Sequence, residues 1–417
     1  MKILISAAET SSDAHGAELL KALREKTAFE ALSEKGAMSK TEVSAFGIGG
    51  PKLQAAGLRV VVDAKELMSM GFSEILGRLP RIFKALDQVT EEAARQRPDV
   101  AVVIDYPDFH FRLAKRLKKL GIPVIYYIPP KVWVWRKGRV KTLRENFVRI
   151  LSILPFEETF YKNLNIPVKY VGNPLVDELP LALTRSEARS QLSLTEQDLV
   201  LVMLPGSRKA ELKEHLGLML EAATLAAKKL KAQGFLPEQK RLVVLMPFPE
   251  TNHLESQKTN DSPKDLIDLR ISRGNSSLCM IAADAGIIKS GTSTLEAGLL
   301  KCPHTIVYKT TRTTAWIFKN LIRYRGPVGL VNLVSDWRSD GSYTSPYLVR
   351  EMICEQVTVE SVTSEIIELL TNSQKREKMI QGFEILKEKV CGKSDRESER
   401  PSVVAAQEIL RFLEAGR

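Results

Sequence analysis

Cysteine is scarce in this chain. Only Cys279, Cys302, Cys354 and Cys391 occur in 417 residues, and their spacing matches no metal-binding pattern, so no zinc site is implied and a reducing compartment leaves them as thiols. Long apolar runs are lacking as well: no stretch approaches the ~20 consecutive apolar residues that a spanning helix needs. The opening Met1-Lys2-Ile3-Leu4-Ile5-Ser6 runs at once into Ala7-Ala8-Glu9-Thr10, too short an apolar segment for a secretion signal and suited to a first core strand. A cytoplasmic location is therefore expected. There is no internal repeat, polar low complexity is confined to residues 256–265, and the basic residues are spread over both halves without a nucleic-acid-binding module.

What is present is the make-up of a globular protein, with 44% hydrophobic and 27% charged residues. The length exceeds one ordinary core and predicts two domains. A formal charge of +11 favours a polyanionic neighbour, whether nucleic acid, an anionic lipid surface or a phosphorylated substrate, and charge alone does not choose among them.

Short β-rich runs alternate with longer helical patterns, which predicts parallel α/β layers. Strands are expected at 2–6, 43–46, 100–104, 124–127, 148–154 and 168–171, and again at 199–204, 241–246, 269–271, 286–289 and 305–308. Between the two sets, Gly172-Asn173-Pro174-Leu175-Val176-Asp177-Glu178-Leu179-Pro180 has the prolines and glycine of an interdomain connection. The expected division is a first domain over 1–172, a second over 173–385, and a helical segment over 386–417 that packs back on the first domain or on a partner subunit. Two doubly wound, Rossmann-like α/β domains facing a cleft is the predicted architecture, with ligands at the carboxyl ends of the strands.

The densest unit of this pattern is GIIKSGTSTLEAGLLKCPHTIVYK, residues 286–309. Ile287 and Ile288 end a strand, Ser290-Gly291-Thr292-Ser293-Thr294 form a tight turn, a helix covers 295–300, and Lys301-Cys302-Pro303 stop it. Unpartnered N–H groups at such a helix start, with the positive end of its dipole, suit an anion such as a diphosphate. Ser290, Thr292 and Ser293 can add hydroxyl donors, and Glu296, one turn on, can accept the two vicinal hydroxyls of a ribose. An ordinary cap with an acidic residue placed for the dipole explains the same residues equally well.

Three other strand ends carry polar residues. The loop from Ala7 to Ala17 joins the first strand to a helix over 18–24, again with hydroxyls at a helix start. In Ile104-Asp105-Tyr106-Pro107-Asp108-Phe109, a buried strand delivers Asp105, which suits a proton-abstracting carboxylate, whereas Asp108 reads as a helix cap. In Leu204-Pro205-Gly206-Ser207-Arg208, the Arg208 guanidinium can present a fork of N–H groups to a diphosphate or pair with Glu211 on the surface.

These segments, with Ala8-Glu9-Thr10-Ser11-Ser12-Asp13 and Val132-Trp133-Val134-Trp135-Arg136, resemble in order and over nearly the whole chain the lipid-A-disaccharide synthases. The resemblance implies a GT-B glycosyltransferase that joins UDP-diacylglucosamine to diacylglucosamine phosphate, releasing UDP and forming the β-linked precursor of lipid A. An α-linked donor and a β-linked product imply inversion, which needs a base on the acceptor hydroxyl and charge relief on the departing diphosphate. Asp105 matches the family's proposed base and Glu9 its loop glutamate. Gly206, Ser207 and Arg208, with Ser290, Gly291 and Thr292, fit the diphosphate, and Glu296 the ribose. No metal or other cofactor need be invoked, and no convincing Asp-X-Asp motif occurs. The implied partners are the two lipid substrates and the inner face of the cytoplasmic membrane; a homodimer is compatible and no nucleic acid is expected.

Ala8 and Ser12 stand where the family commonly has glycine, Pro129 and Lys131 where it has serine, Asn173 where it has histidine and Cys354 where it has glutamine; residues 336–347 are an added segment. Lys131 beside the tryptophans suits a phosphorylated acceptor or is simply solvated. Ile75, Leu76, Leu79, Ile82 and Phe83 share one helical face flanked by Arg78, Arg81 and Lys84, which fits either a core stripe or a lipid interface. With Arg136 and the basic run it opens, over 136–141, the resemblance favours a peripheral place on anionic lipid. The rival readings are a UDP-sugar GT-B enzyme with another acceptor or epimerase activity, and a homologue that binds nucleotide or lipid without turnover.

Overall fold

Val100-Ala101-Val102-Val103-Ile104 is buried at every position, as a strand must be when helices cover both faces of its sheet. In the computed structural model, which describes residues 1–33, 42–67, 75–133, 138–248, 265–310, 326–337, 342–343, 346–391 and 400–415, this strand lies inside a seven-stranded parallel sheet. At residues 10, 29–33 and 75–79 the description covers the backbone. The strands are β1 (Lys2–Ala7), β2 (Ser44–Gly49), β3 (Arg59–Asp63), β4 (Val100–Ile104), β5 (Val124–Tyr127), β6 (Arg149–Ser152) and β7 (Val168–Tyr170), in spatial order β3-β2-β1-β4-β5-β6-β7. Parallel neighbours need crossovers, supplied by α1 (Thr10–Ser33), α2 (Pro51–Ala55), α3 (Ile75–Gln96), α4 (Pro107–Lys119), α5 (Arg139–Asn146) and α6 (Pro155–Asn163). Successive strand residues alternate between two cores. Leu4, Val103 and Tyr126 pack on one face with residues of α3 and α4, while Ile3, Ile5, Val102 and Tyr127 pack on the other with α1 and the helix Pro401–Ala415.

The first unit comprises Met1–Asp177 and Val390–Arg417. It extends beyond Gly172 because its last residues are tied to the returning chain. Asn173 N–H and the Tyr170 hydroxyl both donate to Val390 O, at 3.2 and 3.0 Å, and an Asp177 carboxylate oxygen accepts the Ser402 N–H at 2.9 Å. The helix Pro401–Ala415 lies against α1, with Glu408 paired to Arg149 at 2.7 Å.

The second unit, Glu178–Lys389, repeats the logic. After α7 (Leu175–Glu178) and α8 (Arg185–Gln191) come β8 (Val200–Leu204), α9 (Lys209–Ala232), β9 (Leu242–Phe248), β10 (Ile267–Arg273), α10 (Ser276–Ala282), β11 (Ala285–Lys289), α11 (Thr292–Leu299), β12 (His304–Tyr308) and β13 (Glu351–Ile353). The sheet order is β10-β9-β8-β11-β12-β13, all parallel. Two strands escape the sequence pattern, β3 and β13. Both are short edge strands that pair on one side only, so neither needs the long apolar run that marks a central strand. In each sheet the order reverses at one place, between β1 and β4 and between β8 and β11, the kind of switch point beside which open α/β sheets bind ligands. Among the described residues no helix is long and apolar enough to cross a membrane.

Asp13 shows how the start of α1 is held. Its carboxylate is buried and accepts three backbone N–H groups at the start of α2, from Gly50 at 2.7 Å, Lys52 at 2.9 Å and Leu53 at 3.1 Å. Asp13→Ala leaves these donors without an acceptor and should destabilise the protein by about 1–3 kcal/mol, with Asp13→Asn less affected because one oxygen is kept. Thermal melts of the two variants check this; an unchanged melting temperature in Asp13→Ala would contradict it.

Candidate functional site

The two reversal points are where the polar residues singled out by the sequence are found. In the first unit, β4 ends at Ile104, and Asp105 and Tyr106 then both take left-handed backbone, with φ of 52° and 46°. Such a conformation costs a non-glycine residue about 1–3 kcal/mol and persists only when its surroundings impose it. The Asp105 N–H donates to Tyr127 O at 3.1 Å, and the Asp105 carbonyl accepts from His110 Nδ1 at 2.5 Å and from the Tyr126 hydroxyl at 2.9 Å. Burial lowers the His110 pKa to about 4, against the pull of the Asp105 carbonyl, so the ring is neutral at physiological pH. A carbonyl can only accept, which assigns the proton to Nδ1; Nε2 then accepts from Ser6 Oγ at 2.8 Å. Burial, reinforced by Asp105, raises the Tyr126 pKa and keeps its hydroxyl a donor.

The Asp105 side chain is half-buried, and desolvation lifts its pKa above the ordinary aspartate value despite a backbone bond at Tyr106 and the nearby Lys131 and His15. Glu9 is exposed at the start of α1, close enough for its charge, after burial, to raise the pKa of the Tyr106 hydroxyl. Lys131 is solvent-exposed as a residue, yet the surrounding protein lowers its pKa, with Glu157 and Asp105 opposing. Glu157 is wholly buried in the first turn of α6. It accepts Trp133 Nε1–H at 3.1 Å and Leu154 N–H at 3.3 Å, and burial pushes it up to about 7. Asp105, Glu9 and Lys131 are thus gathered at one end of one sheet.

The proposed lipid face divides. Ile82 packs against the core, whereas Phe83 is 40% exposed beneath the Arg112 guanidinium, 5.5 Å from the ring centre, with Arg81 and Lys84 also exposed. Arg136 and the side chains of Ile75, Leu76 and Leu79 lie outside the described residues.

In the second unit, Gly206 has φ 117°, and a Cβ there would fall 2.6 Å from the Glu211 side chain, so the turn after β8 needs glycine. One Glu211 oxygen accepts the N–H groups of Ser207 at 3.0 Å and Arg208 at 3.3 Å; the other accepts Lys289 Nζ at 2.9 Å, with Arg208 Nη1 at 3.5 Å. Burial acts to raise the Glu211 pKa, but Lys289 and the amides prevail and hold it below the usual glutamate value. The Arg208 side chain is 83% exposed and only loosely held by this carboxylate.

After β11, the Ser290 hydroxyl donates to Val328 O at 2.8 Å and its N–H to Val307 O at 3.0 Å. Ser290 therefore shapes the turn, its hydroxyl engaged by the segment before the helix over residues 330–335 and its N–H by β12. Gly291 caps α11, Thr292 is its first residue, and the Lys289 ammonium lies 3.9 Å from where a Gly291 Cβ would stand. One oxygen of the largely enclosed Glu296 accepts the Ser276 and Ser277 hydroxyls at 3.3 and 3.1 Å, and burial raises its pKa despite them.

Lys289, His110 and Tyr126 escaped the sequence reading. Lys289 carried a signal, a lone cation at the end of an apolar strand directly before the small-residue turn. His110 and Tyr126 carried none, since their partner is a backbone carbonyl.

A family model for lipid-A-disaccharide synthetase matches residues 3–406. The lipid-A-disaccharide synthase of Myxococcus xanthus is 34% identical over 418 residues, covering 100% of this chain and 98% of that protein. That of Anaeromyxobacter dehalogenans is 36% identical over 379 residues, covering 91% and 90%. Among solved structures, the UDP-GlcNAc 2-epimerase of Neisseria meningitidis bound to UDP-GlcNAc superposes with TM-score 0.55 at 12% identity over 100% of both chains. MurG of Acinetobacter baumannii does so with TM-score 0.52 at 12% identity over 99% of each. At that identity the structures speak for the fold, two parallel-sheet α/β domains of the GT-B type. With the family match running from residue 3 to residue 406 and relatives 34–36% identical along their length, this chain belongs to the lipid-A-disaccharide synthetase family.

Proposed function

We propose that this chain, a glycosyltransferase of lipid A synthesis, joins UDP-diacylglucosamine to diacylglucosamine phosphate with inversion, and that Asp105 is its general base. The observation that carries the assignment is the strand-end geometry of Asp105: a desolvated carboxylate held at the reversal point of the first sheet. Its carboxylate takes the proton of the acceptor hydroxyl as that oxygen attacks the anomeric carbon. The bond from that carbon to the diphosphate breaks on the opposite face, and its electron pair leaves on UDP. Glu9 completes the acceptor side. On the donor side Arg208 and Lys289 supply cations, the amides at Ser207 and Thr292 supply N–H groups, Gly206 and Gly291 allow close backbone approach, and Glu296 receives the ribose hydroxyls. Incubating the purified protein with both lipid substrates and measuring disaccharide and UDP tests the reading; absence of both products would overturn it.

Asp105→Asn should fold and bind UDP as wild type does but lose turnover by roughly 100- to 10,000-fold. The base acts ionised, so turnover in the native enzyme should fall as pH drops through its pKa, on a limb that lies above the ordinary aspartate value because burial raises it. Wild-type turnover in Asp105→Asn would remove this residue from the mechanism.

Arg208→Ala should weaken UDP binding and leave the melting temperature unmoved, since an exposed, loosely paired arginine contributes little stability. Isothermal titration beside a thermal melt decides; unchanged affinity counts against the nucleotide role.

Phe83, exposed among Arg81, Lys84 and Arg112, supports contact with an anionic lipid surface. Phe83→Ser should reduce co-sedimentation with anionic vesicles without lowering the melting temperature, whereas Ile82→Ser, which opens the core, should lower it. Equal vesicle binding by wild type and Phe83→Ser would sink the proposed contact.

A further inference from the structure

The chain commits two fully buried polar side chains, His110 and Tyr126, to a single backbone oxygen, that of Asp105, and a third, Ser6, to the far nitrogen of His110. Interior positions of this kind are ordinarily apolar, and a polar group is kept there at the expense of its hydration. The geometry shows what the arrangement controls. The Asp105 carbonyl belongs to the peptide between two left-handed residues, and its direction sets ψ of Asp105 and φ of Tyr106. Two donors on that oxygen, from α4 and β5, stop the peptide plane from rotating. On the other side of the Cα, the bond from Asp105 N–H to Tyr127 O holds the preceding peptide. With both peptide planes fixed, the direction of the Cα–Cβ bond is fixed too.

We infer that His110 and Tyr126, with Ser6 behind His110, are positioning residues for the transfer reaction: they clamp the Asp105 carbonyl and so aim its carboxylate at the acceptor hydroxyl. The inference rests on the reading of Asp105 as base. His110 is steadied in turn by edge contacts with Phe109 and Tyr126, at centroid distances of 5.5 and 6.4 Å, and Tyr126 by Phe147 at 4.9 Å. The titratable groups that act on Asp105 itself are Lys131, from the segment after β5, and His15, from α1; Glu9 and Asp108 act on Tyr106. None of the clamp residues carries charge, so they act by geometry.

The test uses the full-length protein. His110→Ala and Tyr126→Phe should each lower kcat about 10- to 100-fold, the order expected for a misplaced reacting group, while KM for the donor and UDP affinity stay unmoved. The acid limb of the pH profile should shift to lower pH, because a carboxylate released from its enforced position gains water. His110→Asn, whose amide nitrogen takes the place of Nδ1, should recover most of the loss. If His110→Ala does not fold, Tyr126→Phe and His110→Asn carry the test, since Phe keeps the ring packing. Unchanged kcat and pH profile in folded Tyr126→Phe and His110→Ala, with Asp105→Asn inactive, would overturn the clamp and leave the base standing. An active Asp105→Asn would overturn both.

Discussion

Every strand in both sheets runs parallel to its neighbours, so all the carboxyl ends of a sheet lie along one edge. That constraint places the polar loops. Parallel pairing needs a crossover after each strand, usually a helix; where one follows, it begins at the same edge and its first turn presents unpaired N–H groups there. Carboxylates, hydroxyls and cations collected at that edge have backbone dipoles to work against, whereas the same residues at the opposite edge would meet helix ends of the other sign. The reversal of strand order at β1/β4 and β8/β11 marks where connections leave each sheet in opposite directions, the usual place for a ligand in such a sheet.

Within this frame burial assigns different tasks to chemically similar carboxylates. Asp13 and Glu211 both gather backbone amides at helix starts, Asp13 to bind α2 to the first turn of α1, Glu211 to hold Ser207, Arg208 and Lys289. Asp105 has no such ring of donors on its carboxylate. Its partners hold the backbone instead, leaving the side chain desolvated and raised in pKa. A carboxylate saturated with hydrogen bonds is a poor base, and one kept short of them is a better one.

Much of this was legible before any coordinates. The apolar runs located the central strands, the Pro and Gly cluster from Gly172 to Pro180 located the connection, and hydroxyls beside glycine after an apolar run marked helix starts. The edge strands β3 and β13 were not legible, because half-covered strands need no continuous apolar run. The extension of the first unit to Asp177 was not legible either, since it depends on bonds to Val390 and Ser402, far along the chain. The bond from the Ser290 hydroxyl to Val328 O was not legible, because its acceptor is remote in sequence.

The sequence by itself determined the two-domain α/β plan, the family and the residue types delivered to the strand ends, because these follow from local patterns of burial and turn chemistry. Tertiary structure alone decided which donors are engaged. Whether Ser290, Arg208 or Asp105 can act on a ligand depends on what else reaches its polar atoms. Val328 O for Ser290 and the His110–Tyr126 pair for the Asp105 carbonyl arrive through the packing of elements that no local sequence pattern relates, whereas Arg208 meets Glu211 three residues on.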